Sequence, residues 1–328
     1  MNKQSPILII GAGSIGERHI NNLIQLGYTN IHVFRQRNLP LRNVDSACVQ
    51  IHTDWEVVKN IEFVFAIICT PSSQHLAQTI SCLDLNMHVL VEKPLSHNTN
   101  QLELLTEKVK LSGKLVYVAY MMRFHPHLIV VKNSITSNAY GKLLSIQTHW
   151  GSYLPDWHPY EDYTTSYAAQ KALGGGVALT LSHDIDVVNW LSGDAIKTVH
   201  KHFSYAPHLG IDVESVADFQ IVYENDVVAN VHLNYLEKTP KRVYQFLFDK
   251  AKITIDYFAA TMEIDNMGII TKNEISDFDR NNLFKDELAF FINTIQSGEL
   301  TTLSMSQIAE SHTIINLCNH ELKHFRSG

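Results

Sequence analysis

The sequence predicts a two-part protein, an α/β doubly wound parallel sheet followed by an α+β domain built on a largely antiparallel sheet. Three observations predict it. An apolar strand, Ile7–Ile10, runs straight into Gly11-Ala12-Gly13-Ser14-Ile15-Gly16 and then into a helical pattern, the context in which a glycine fingerprint turns a strand into a helix. Strand-like and helix-like segments alternate from there to residue 119, as a parallel sheet with crossover helices requires. After Tyr120 that alternation stops, and a run of consecutive strands follows. At 328 residues, 45% of them hydrophobic, the chain suits two cores, divided as 1–120 and 121–328.

In the opening turn Gly11 permits the tight bend, Gly13 leaves no side chain between backbone and a pyrophosphate, and Gly16 lets the helix pack close to the strand. Gly11, Gly13, Ser14, Ile15 and Gly16 are therefore candidate dinucleotide contacts, with the phosphates on the free N–H groups of a helix N-terminus. Ile15, Ile20, Leu23 and Ile24 recur at helical spacing and Gly27 ends the pattern, which gives a helix over 14–26. Further strands are predicted at 31–34, 48–51 (weak), 63–69, 88–91 and 115–119, and helices at 55–60, 74–85 and 100–111. The second part reads as a helix at 126–137, a strand at 143–150, an aromatic segment at 153–167, a glycine run at 174–176 and a helix through 187–191. Strands fill 197–265 with turn signals at Glu224-Asn225-Asp226 and Asp249-Lys250, and helices near 284–296 and 304–325 close the chain.

A formal charge of −7 provides no basic face for nucleic acid. Residues 1–6 carry only Lys3, and the apolar runs, including 63–69, are too short for a signal segment or a bilayer span. A cytoplasmic protein without membrane or nucleic-acid partners is expected. Cys48, Cys69, Cys82 and Cys318 are scattered without a Cys-x-x-Cys pair, so reduced thiols are expected, with no disulfide and no metal site. His320-Glu321-Leu322-Lys323-His324 fits a zinc-protease pattern, but its place at the end of the chain and the count of 18 histidines make it a chance match. The pairs His125/His127 and His200/His202 have no matching cysteines or acids and are read as non-metal.

The second strand lacks the terminal acid that holds ribose hydroxyls and repels a 2′-phosphate. The window His32-Val33-Phe34-Arg35-Gln36-Arg37-Asn38 offers two guanidinium groups instead, which favours NADP with NAD as second choice. The other reading, solvated loop charges with Arg35 stacked on adenine, stays open.

Gly11-x-Gly13-x-x-Gly16, Thr70-Pro71 with His75, Glu92-Lys93-Pro94, and Gly174-Gly175-Gly176 leading to Ser182-His183-x-x-Asp186 occur in that order. Together they resemble the glucose-fructose oxidoreductase, inositol dehydrogenase and MocA (Gfo/Idh/MocA) oxidoreductase family over nearly the whole length. The resemblance implies an N-terminal Rossmann domain and a C-terminal substrate-binding domain whose open sheet commonly mediates homodimers or homotetramers. It also implies hydride transfer between nicotinamide and a secondary alcohol or ketone of a sugar, cyclitol or nucleotide-sugar. Carried onto this chain, Lys93 looks like the active-site lysine, touching both the nicotinamide ribose and the reacting hydroxyl, and the Lys93–Pro94 bond is often cis in relatives. Cys69, Thr70, Pro71, His75 and Glu92 frame the nicotinamide end, while Arg123, Tyr153, Trp157, Tyr160, Thr180 and Asp186 are the candidate substrate contacts. The segment 153–159 resembles a branch associated with bacterial surface-sugar and nonulosonic-acid pathways.

His183 is the candidate base, since an imidazole takes and returns a proton near neutrality, against the alternative of a helix-capping or core histidine. The chain departs from the family where many relatives carry an acid four residues before this histidine. Leu179 stands there, and Asp184, Asp186, Glu161 and Asp162 remain open as replacements. A second departure is Met121-Met122 ahead of Arg123 and His125, which stay candidates to reach the site. The aromatic residues 153–167 are suited either to stacking on a sugar or to an interface. Two rival functions remain at this level: a redox-neutral lyase or glycosidase with tightly bound cofactor, and a non-catalytic nucleotide or sugar sensor.

Overall fold

The computed structural model describes residues 1–36, 40–298 and 300–320. The first unit begins with β1 (Ile7–Ile10), α1 (Ser14–Gln25), β2 (Ile31–Phe34), β3 (Gln50–His52), α2 (Trp55–Lys59), β4 (Phe65–Ile68), α3 (Ser72–Asp84), β5 (His88–Glu92), α4 (Leu102–Ser112) and β6 (Val116–Ala119). The six strands run parallel in the order β3-β2-β1-β4-β5-β6. β1, β4 and β6 are buried along their whole length, as strands covered on both faces must be, which is why they read as unbroken apolar runs. The strand order reverses between β1 and β4, and the carboxyl ends of those two strands flank the crevice where such sheets take ligands.

The second unit contains α5 (Pro126–Thr136), β7 (Leu143–Gly151), α6 (Val177–Thr180), α7 (His183–Ser192), β8 (Ile196–Ser204), β9 (Val216–Tyr223), β10 (Val228–Asn234), β11 (Lys241–Phe248), β12 (Ala251–Asp256), β13 (Thr261–Asn266) and β14 (Ile269–Glu274). Its eight strands follow the order β14-β13-β12-β11-β7-β10-β9-β8, open at both edges. Every pairing is antiparallel except β7–β10. α6 and α7 lie on one face, where Tyr244, Phe246 and Ile221 are fully buried, and the alternate residues of the same strands, a mix of polar groups such as Asp218, Gln220, Lys241 and Gln245 with Val and Leu side chains, form a part-exposed opposite face. The aromatic segment is neither helix nor strand: short 3-10 turns at Leu154–Asp156, Tyr163–Thr165, Tyr167–Ala169 and Lys171–Leu173 carry it.

The chain ends on α8 (Arg280–Ser297) and α9 (Leu300–Cys318). The sequence suggests a single break, but there are two. Met1–Tyr120 forms one unit with Asn281–Ile315, and Met121–Arg280 forms the other with residues 316–320. Leu288, Phe291 and Ile292 of α8 complete the apolar core around β1, β4 and β6. Ser304 Oγ and Gln307 Oε1 of α9 accept from the Val116 and Val118 amides at 2.9 and 3.1 Å, satisfying the edge of β6. No helix among the described residues is long and apolar enough to cross a membrane.

Candidate active site

In the first unit, β1 delivers the chain into a turn whose sterics explain each glycine. Gly11 has φ +92°, and a Cβ there would lie 2.9 Å from the Cys69 carbonyl oxygen. A Cβ on Gly16 would overlap the Gly11 carbonyl, so α1 sits against the strand only because residue 16 has no side chain. Gly13 differs: its Cβ direction meets nothing within 4 Å, and it caps α1 with no side-chain hydrogen bond. The first-turn amides of α1 therefore face an open space with their N–H groups unused by the helix, a cradle that fits a pyrophosphate. Ser14 and Ile15 open that helix. Glu17, buried in the same turn, accepts from the Arg42 and Asn43 amides at 3.0 and 2.8 Å and holds the stretch that follows β2.

At the carboxyl end of β2 comes Arg35, whose Nε is buried with no hydrogen-bond partner among the described residues. An orphaned cationic donor at this position suits an added anion. Arg37 lies outside the described residues.

The carboxyl ends of β4 and β5 carry the next group. Thr70 Oγ1 donates to Gln78 Oε1 at 2.6 Å, and Pro71 caps α3. His75 is 1% exposed, with Nδ1 2.8 Å from the Pro94 carbonyl and Nε2 2.7 Å from the Thr70 carbonyl. Burial lowers its pKa, so near neutrality its single N–H serves one of those two carbonyls. Glu92 accepts from His19 Nε2 at 2.9 Å and from the Lys93 amide at 3.3 Å. Burial pushes this carboxyl up, but the hydrogen bond from His19 and the nearby charge of Lys93 outweigh that and hold it below its ordinary value. His75 and Glu92 thus have their polar atoms committed inside the protein. They fix the loops that carry Thr70 and Lys93. Cys69 is likewise buried, its thiol pushed well up by burial, and its backbone rather than its sulfur borders the glycine turn. The Lys93–Pro94 peptide bond is cis.

In the second unit the glycine run is a packing device, since a Cβ on Gly175 would strike the Tyr167 carbonyl and one on Gly176 the Glu214 carboxylate. Glu214 accepts from the Ala178 amide at 3.0 Å. His183 opens α7, is 4% exposed, and lies with its ring centroid 6.2 Å from that of Trp150. Three of the carboxylates left open as its partner make contacts of their own. Asp184 pairs with Arg242 at 2.5 Å, both fully buried, with the guanidinium 3.9 Å over the Trp150 ring. Asp186 takes a bidentate fork from Arg123, Nε to Oδ2 at 3.0 Å and Nη2 to Oδ1 at 2.5 Å. Asp162 accepts from the Thr164 amide, and Glu161 is exposed.

The candidate substrate residues do not behave as one set. Asp186 is fully buried on Arg123, which keeps 15% side-chain exposure, so the expected direct contact narrows to the arginine. Thr180 is buried, with 3% of its surface exposed. Trp157 packs inward, edge-on to Tyr235 at 5.4 Å, with Nε1 donating to Ser152 Oγ at 2.8 Å. Tyr160 is 59% exposed, and the Tyr153 ring sits 5.5 Å from Lys238 Nζ. His125, once a candidate to reach the site, is fully buried between Tyr257 and Phe278. His320 stacks on Phe203 and contacts Glu214 at 3.1 Å, while the rest of the His320–His324 motif lies outside the described residues. The sequence missed His19, Glu214 and Arg242, because each meets its partner across a large separation that no local pattern marks, and it missed Gln78, eight residues from Thr70.

Residues 6–120 match a family model described as an oxidoreductase family with an NAD-binding Rossmann fold, and residues 129–254 match the GFO/IDH/MocA C-terminal domain. An inositol 2-dehydrogenase from Rubrobacter xylanophilus is 23% identical over 233 residues, covering 69% of this chain and 63% of that protein, less than two thirds of its length. A levoglucosan dehydrogenase structure in complex with NADH has a TM-score of 0.80 at 16% identity, covering 95% of this chain and 94% of the other. A UDP-N-acetylglucosamine 3-dehydrogenase from Acidithiobacillus ferrooxidans has a TM-score of 0.75 at 16% identity, covering 96% and 97%.

Proposed function

The chain belongs to the Gfo/Idh/MocA oxidoreductase family, and on that premise we propose that it is an NAD(P)-dependent dehydrogenase or reductase acting on a secondary alcohol or ketone of a sugar, cyclitol or nucleotide-sugar. The observation that carries the reading is the glycine turn, where Gly16 has no room for a side chain while Gly13 faces open space at the N-terminus of α1. Gly11, Gly13, Ser14, Ile15 and Gly16 would hold the pyrophosphate, and Arg35 with Arg37 a 2′-phosphate, which makes NADP the preferred cofactor. When bound, the nicotinamide exchanges the hydride. Lys93, its backbone amide held by Glu92, places an ammonium to steady the alkoxide. His183 takes the hydroxyl proton as base. Arg123, oriented by Asp186, offers its remaining donors to substrate hydroxyls, alongside Tyr153 and Tyr160.

The same reading makes the protein cytoplasmic and places its substrate among bacterial surface-sugar precursors. The exposed face of the second sheet would join copies into a dimer or tetramer, which light scattering on the full chain would reveal. The cofactor assignment is tested by thermal unfolding with each dinucleotide. NADP raises the melting temperature more than NAD, and Arg35→Ala removes that difference; equal shifts in the wild type would overturn the NADP preference.

A further inference from the structure

On the exposed face of the eight-stranded sheet a line of polar side chains crosses four strands at one level. In the ladder His202 pairs with Asp218, Asp218 with His232, and His232 with His149, across β8, β9, β10 and β7. Strand alternation puts all four on the same side. His232 and His149 are side by side, ring centroids 4.8 Å apart, and Glu237, just beyond β10, hydrogen-bonds His149 Nε2. His149, His232 and Glu237 offer one ligand atom each within 4.8 Å of one another.

Three features make this a built site rather than a chance cluster. First, Asp218 lies 2.7 Å from His232 Nδ1, and a carboxylate there takes the N–H, so the lone pair of the neutral ring is on Nε2. That carboxylate–imidazole arrangement is what orients metal-binding histidines. Second, the Glu237 carboxylate rests directly on Gly151, where any Cβ would overlap it. Gly151 lies two residues along β7 from His149 and so belongs to the same face. Third, Asn234 is held by its Oδ1, which accepts from the Leu236 and Glu237 amides at 2.9 and 3.2 Å. Its Nδ2 therefore points at His232 Nε2 and Glu237 Oε1, at 3.2 and 2.8 Å, so two acceptors already converge on one electropositive group.

We propose that His149, His232 and Glu237 bind a divalent transition ion of the zinc class, with Asp218 orienting His232 and a fourth position open to water. Two imidazole nitrogens and one carboxylate oxygen form a donor set suited to zinc. Tetrahedral bonds of about 2.0–2.1 Å place such ligand atoms about 3.4 Å apart, so His149 and Glu237, now in direct hydrogen-bond contact, separate while the widest pair of donors, at most 4.8 Å apart, closes and the Asn234 amide is displaced. In the single chain all three are part-exposed, with 30–37% of each side chain reachable from solvent, before this face is covered by a second copy. No local spacing announces the set in the sequence, because register across β7 and β10 brings it together. The site is separate from the residues assigned to dinucleotide and substrate, and it stands whether or not that assignment holds.

The test is a calorimetric titration of the untagged, chelator-treated full chain with zinc chloride, repeated with cobalt chloride to read coordination geometry from the visible spectrum. One ion binds per chain, the cobalt spectrum is tetrahedral, and His232→Ala and His149→Gln lose binding. Asp218→Asn weakens it about 10–100-fold. Gly151→Ala weakens it as well without removing a ligand, whereas His200→Ala, on β8, binds as the wild type. Absence of stoichiometric zinc binding, or wild-type affinity in both His232→Ala and Gly151→Ala, would overturn the proposal. Asp218 is half-exposed, so Asp218→Asn keeps the test valid if a ligand variant fails to fold.

Discussion

His125 is fully buried, and neither ring nitrogen has a hydrogen-bond partner among the described residues. Burial, His127 and Arg242 lower its pKa to about 3. The folded protein therefore keeps this ring neutral where the unfolded chain, with an ordinary histidine value near 6.5, takes up a proton. Extra protons on the unfolded side mean that stability is full above about 6.5 and falls as pH drops towards 3. His125→Phe, which keeps an aromatic ring against Tyr257 and Phe278, should remove about 1–2 kcal/mol of the stability lost between pH 7 and pH 5. Urea unfolding at both pH values checks this, and an identical loss in both proteins would contradict it. At this scale the sequence is legible where one residue's sterics decide, as at Gly11 and Gly16. It is silent where a side chain's contacts depend on a distant partner: the Arg123–Asp186 fork and the His19–Glu92 hydrogen bond join residues far apart in the chain that no local pattern links.

The unit of β1, the glycine turn and α1 was readable because strand, turn and helix each leave a short-range mark: an apolar run, a glycine spacing and a 3.6-residue period. The strands of the second sheet were readable from alternation and turn residues, but their order was not, since the parallel β7–β10 pairing joins segments separated by α6, α7, β8 and β9. The return of α8 to the first unit was hidden for a related reason: Leu288, Phe291 and Ile292 declare a buried face without saying which core receives it. The glycine turn yields the clearest test of an element. Gly13→Asp places a favourable N-cap on α1, and its Cβ enters open space, so the unliganded protein unfolds near the wild-type temperature. The new carboxylate occupies the anion position, however. At a dinucleotide concentration a hundred times its Kd the wild type gains about 2.7 kcal/mol, and the variant should gain none. Equal stabilisation of both by NADP would show that the dinucleotide binds elsewhere.

For the whole molecule, the family and the fold stand on matches spanning both parts of the chain, while the proposed chemistry is assigned to two side chains, Lys93 and His183. A sensor or a binding protein would keep the dinucleotide cradle and have no need of Lys93; an oxidoreductase needs both. Steady-state formation of NADPH by wild type and Lys93→Met therefore tests the account most directly, at saturating NADP and with a sugar chosen because it stabilises the NADP complex. The account predicts that Lys93→Met still binds NADP and loses about 10²–10⁴-fold in turnover at saturating NADP. Turnover within a few-fold of the wild type would contradict it.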